Sequence, residues 1–99
     1  MRIITRQILK TVGDWTLQRR DFEGGEYDYI VRAKGKPAVN LFVNDRYNSE
    51  IRRTVSKVEY SANTYPMNLE EAAFFVEHAQ QALVAATEFQ QAIDAAEDN

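Results

Sequence analysis

The chain has 99 residues, a net charge of −3, one histidine and no cysteine. That length fits one domain able to bury a core without staples, and the missing cysteine excludes disulfides, thiolate chemistry and cysteine-based zinc sites. No apolar run approaches the ~20 residues of a membrane span and Met1–Lys10 lacks the hydrophobic core of a signal peptide, so a cytoplasmic protein with no membrane contact is expected.

The small net charge conceals a division. All 12 Lys and Arg lie within residues 1–57, beside seven acids, which leaves that part at +5. Residues 58–99 hold the other eight acids and no base, a balance of −8. An asymmetry of this size calls for a physical explanation.

In the first half, turn signals recur every ten or eleven residues, at Gly13-Asp14, Gly24-Gly25, Lys34-Gly35 and Asn44-Asp45. The segments between them, Arg2–Val12, Trp15–Phe22, Tyr27–Ala33 and Pro37–Val43, are rich in β-branched and aromatic residues. Two of them alternate with period two: Tyr27, Tyr29 and Val31 against Asp28, Ile30 and Arg32, then Val39, Leu41 and Val43 against Asn40, Phe42 and Asn44. Such alternation marks strands with one covered face, and the even spacing marks an antiparallel meander. The polar stretch Asp45–Arg53 reads as an exposed loop. A fifth strand follows from about Thr54 to Ala62, where Val55 and Val58 fall on opposite faces and suggest a β-bulge. Residues 63–67 form a linker, and Pro66 disfavours helical geometry at Tyr65.

The last third, residues 68–96, reads as one long amphipathic helix. Asn68 is suited to cap it, with Glu71 three residues later as the reciprocal partner of a capping box. Leu69, Ala72, Phe75, Val76, Ala79, Ala82, Leu83, Ala86, Phe89 and Ile93 recur at three- and four-residue steps as a broad apolar stripe. The fold class is therefore α+β in a single domain: a five-stranded antiparallel β-meander over residues 1–62, with the C-terminal helix packed on one sheet face.

Lengths complicate that picture. An eight-residue strand spans about 27 Å and the helix about 42 Å, so one sheet does not cover the whole stripe. The surplus turns around Ala85–Ala96 must fray, cross a second surface or meet a partner. Phe74 also falls off the main stripe. A homodimer packed helix to helix, with Phe74, Ala82, Ala85, Ala86, Phe89 and Ile93 at its interface, would bury these residues.

Sites for chemistry are sparse. His78 has Glu70, Glu71 and Glu77 nearby, but Glu77 points about 100° away round the helix and Glu71 lies about two turns off, so a surface or interface histidine is expected and no metal. Ser49, Ser56 and Ser61 stand in no nucleophile elbow, and Gly24-Gly25 is flanked by acids, the wrong charge for a phosphate loop. With no catalytic constellation, the expectation is a non-enzymatic protein-interaction or assembly module without a cofactor.

Two alternatives follow from charge. Arg19, Arg20, Arg32, Lys34, Lys36, Arg46, Arg52, Arg53 and Lys57 are interleaved with Trp15, Tyr27, Tyr29, Phe42 and Tyr47, the mixture that binds single-stranded nucleic acid by phosphate contact and base stacking. A sheet followed by one C-terminal helix, paired through helices, resembles in layout a known class of single-strand-binding proteins, which implies nucleic acid on the sheet. The second alternative makes the acidic helix a docking element or an inhibitor that imitates nucleic acid.

Overall fold

Gly13 opens the first hairpin at φ +57°, as the first of two turn residues between the paired Val12 and Trp15. A two-residue hairpin turn with positive φ at that position suits glycine because no Cβ is there to clash. Gly24 and Gly25, also at positive φ, close the second hairpin. A computed structural model describes residues 2–62 and 65–98. It contains the strands β1 (Ile3–Val12), β2 (Trp15–Phe22), β3 (Tyr27–Ala33), β4 (Asn40–Asn48) and β5 (Arg53–Ser61), followed by the helix α1 (Leu69–Glu97). Of the linker 63–67, Asn63 and Thr64 lie outside the described residues.

The architecture is α+β, with five antiparallel strands and one long C-terminal helix packed on them. The strands divide between two sheets, β1-β2-β3 and the hairpin β4-β5. β4 differs from its expected range of 37–43: it begins at Asn40 and continues through Asn48, across the segment expected as a loop. Alternation carries it on. Asp45 accepts from the Ser56 hydroxyl at 2.9 Å, while Asn44 and Arg46 both bond Glu59, at 3.0 and 2.7 Å. Polar cross-strand pairs thus extend the ladder where no apolar core asks for it. The chain turns instead over residues 49–52, where the Asn48 side chain accepts the Glu50 N–H at 3.0 Å and Arg52 takes φ +54°. The β-bulge expected in the fifth strand is replaced by an even β4–β5 register; the register shifts lie in β1, between Ile3 and Thr5 and between Ile8 and Lys10.

The core lies under the second half of the helix. Trp15, Leu17 and Tyr29 from the first sheet, Val39 and Leu41 from the second sheet and its approach, and Ala82, Ala85, Phe89 and Ile93 from α1 are all buried. Ala82 and Ala85 let the helix backbone approach the strands closely, and Phe89 and Ile93 fill the space beside them. The stripe of apolar residues is thereby used in the opposite sense to the length argument. The turns expected to be in surplus are those that are buried, and none of residues 69–81 is. The reason is the division into two sheets. Together they offer α1 one surface around Ala82–Ile93, with contacts to β1, β2, β4 and above all β5.

Side-chain links tie the helix to this surface. The Gln90 amide accepts the Val58 N–H at 2.8 Å and donates to the Ser56 carbonyl at 3.1 Å, bonding the outer edge of β5 as a strand would. On the opposite side Lys10 of β1 reaches Glu88 at 3.5 Å.

Candidate functional site

The first half of α1 is well formed although little of it is buried. The Asn68 side chain accepts the Glu71 N–H at 2.8 Å, and the Glu71 carboxylate accepts the Asn68 N–H at 3.3 Å. This capping box satisfies two of the donors that a helix start leaves free, and Glu70 and Glu71 complement the positive end of the helix dipole. What the cap holds in place is an uncovered apolar surface. Leu69 is 90% exposed, Phe74 59%, Val84 56%, Val76 54% and Leu83 52%. Phe74 stacks on His78 with ring centroids 4.7 Å apart. His78 also borders a cleft of about 220 Å³ with Trp15, Pro37 and Val84. Among the described residues no group of three metal-binding side chains comes together.

Four of the expected interface residues are placed elsewhere. Ala82, Ala85, Phe89 and Ile93 are buried within the one chain, so a partner cannot reach them; Ala86 is half-buried and only Phe74 stands clear. The spacing of the apolar stripe was compatible with either face, and the core takes the one carrying Phe89. The exposed Leu69, Val76 and Leu83 were legible as apolar positions, but not as the uncovered ones.

The residues expected to bind nucleic acid do not form one surface. Trp15 and Tyr29 are in the core, so neither offers a face to a base. The Arg19 guanidinium lies 3.9 Å from the centre of the Tyr27 ring and bonds Asp21 at 3.0 Å, a bond that pushes its pKa above the usual value. Arg20, one residue along and so on the other face of the sheet, bonds Asp28 at 2.8 Å. Arg46 pairs with Glu59, and with Asn44 holds that carboxyl below the usual carboxylate range. Arg32, Lys34, Lys36, Phe42, Tyr47, Arg52, Arg53 and Lys57 are exposed. The β4–β5 register puts Phe42, Arg46, Arg53 and Lys57 on one face of the hairpin and Tyr47 on the other.

No protein-family model matches the chain, and neither do the curated proteins or the solved structures compared with it. The geometry alone therefore carries the functional reading.

A polar cluster that sequence reasoning missed closes the far end of the helix. The Tyr27 hydroxyl donates to the Glu97 carboxylate at 2.8 Å, across 70 residues of chain. Among the described residues the neighbouring Tyr29 hydroxyl, which is buried, forms no well-aligned hydrogen bond. Burial first, and the nearby Glu97 charge second, push the Tyr29 pKa up to about 12. The folded state thus keeps its proton where the unfolded chain, with an ordinary tyrosine pKa of about 10, has lost it. This contribution to stability is complete below pH ~10 and lost as pH rises through about 12. In an ultraviolet absorbance titration, Tyr29→Phe should remove the last tyrosine to ionise and leave the earlier ones in place. An unchanged final step would overturn the assignment.

Proposed function

We propose that the chain is a small non-enzymatic assembly module that pairs with a second copy through the first half of α1. One observation supports it above the others: Leu69, Val76, Leu83 and Val84 are each more than half exposed along one side of a capped helix. A helix that is apolar beyond the stripe facing its own core is ordinarily covered. The single-stranded nucleic-acid reading is less well supported, because two of its five stacking residues, Trp15 and Tyr29, are in the core, and Phe42 and Tyr47 lie on opposite faces of their hairpin. The cysteine-free composition suits a cytoplasmic setting.

Light scattering at micromolar concentration tests the proposal. The unsubstituted chain should give the mass of two chains. Leu83→Asp, at an exposed helix position, should return the mass of one with the helical circular dichroism retained. A one-chain mass for the unsubstituted protein at every concentration would sink the reading.

A further inference from the structure

We infer that the two copies pair antiparallel along one uncharged seam of α1, in the register that aligns Ala73 with the partner's Leu83. This rests on the assembly reading above and adds to it the face, the direction and the register. The seam is Leu69, Ala73, Val76, Gln80, Leu83 and Thr87, spaced by alternating steps of four and three, and every one of the six is exposed. That spacing is the heptad rule by which one helix offers a continuous strip to another. It is distinct from the strip through Ala82, Ala85, Phe89 and Ile93 that faces the sheets.

Charge selects the occupant. No member of the seam is ionisable, although the helix carries six acids and no base. At about 100° per residue, Glu70, Glu77 and Glu88 lie roughly 80–100° from the centre line of the seam, along one flank of it, and Glu71 lies on the far side. A basic partner would be drawn to those acids and away from the seam. An uncharged strip fits it best, since charge is depleted at the centre of protein interfaces, and the chain's own seam is such a strip. Its ends are also defined. Beyond Thr87 the next positions are Gln90, whose amide is already bonded to β5, and the charged Asp94. Before Leu69 stands the cap Asn68. The Thr87 hydroxyl already donates to the Leu83 carbonyl at 2.9 Å, so covering it leaves no donor unpaired.

Direction follows from the same residues. A parallel pair would set the acidic first turns, Glu70 and Glu71, side by side and align the two helix dipoles. The antiparallel pair places each acidic turn beside the neutral stretch before Glu88 and opposes the dipoles. Complete overlap of the seams then sets Leu69 against Thr87 and Val76 against Gln80, and places small Ala73 against large Leu83, the alternation by which facing helices interlock.

Cross-linking decides it without background, since the chain has no cysteine. Ala73→Cys and Leu83→Cys are each made, then oxidised separately and after mixing. The expected result is a disulfide-linked pair in the mixture and none in either variant alone, where equivalent residues lie about ten positions apart along the axis, some 15 Å. Linkage of each variant to itself would establish a parallel pair and overturn the inference. A two-chain mass by light scattering with no linkage in any sample would overturn the register while leaving the assembly module standing. A one-chain mass would overturn both.

Discussion

Replacing Phe89 by alanine should destabilise the fold by about 3–5 kcal/mol, the range for emptying a buried aromatic site. Phe89 is completely buried, in a helix that touches strands of both sheets, so the cavity would open where the two sheets meet the helix. A small domain has only about 5–15 kcal/mol in total, so the loss would take a large share of it. Urea unfolding followed by circular dichroism gives the measurement, as a fall in midpoint at an unchanged slope. A loss below ~1 kcal/mol would mean that Phe89 is not packed as described, and the seating of α1 would have to be redrawn.

Gln90→Ala carries the second largest expected effect. Its amide both accepts from Val58 and donates to Ser56, and donates also to Asp94 at 2.9 Å. Alanine would leave the β5 groups without these partners in a part-buried place, at a cost of about 1–3 kcal/mol. It would also uncover a stretch of sheet edge, which invites pairing with other chains. Hydrogen exchange by nuclear magnetic resonance reads this at one site: the Val58 amide should exchange faster in the variant while the amides of β2 keep their protection. Unchanged protection at Val58 would show that the amide bond is not made in solution. Gln90→Glu should not restore the contact fully, because a carboxylate accepts from Val58 but has no proton for Ser56 and repels Asp94.

Much of this architecture can be read from local chemistry. Gly13 and Gly24-Gly25 mark turns because positive φ favours glycine, and Asn68 with Glu71 marks the helix start because the spacing matches the free donors. Polarity misleads at Asp45–Asn48. Those residues alternate correctly, but their strand partners, Ser56 and Glu59, are ten or more positions away, and a polar run without a visible partner resembles a loop. The candidate surface was harder still. The helical stripe is wide enough to hold two faces, and its periodicity does not tell which one the sheets will take. Ala82 and Ala85 decide it, since small side chains permit close approach, yet Ala72, Ala73 and Ala79 offer the same signal earlier in the helix. Gln90 gave no warning of its role. A glutamine on an acidic helix looks like a solvated residue until a sheet edge is brought beside it.

The separation of the five strands into two sheets bears on how the molecule holds together as it forms and unravels. Each sheet is made by neighbours in sequence, turning back at short intervals, and can pair early at little cost in chain entropy. Neither piece owns a complete interior: Trp15, Leu17 and Tyr29 come from one and Leu41 from the other, and they are enclosed together with α1. The bonds that fasten the helix reach both pieces: Lys10 to Glu88 and Tyr27 to Glu97 on the first sheet, and Gln90 to β5 on the second. The helix is thus a clasp across both sheets. While it is closed the two pieces share one interior, and without it the two-stranded β4–β5 piece, a hairpin of a kind that is at best marginal alone, has no partner to cover its apolar face.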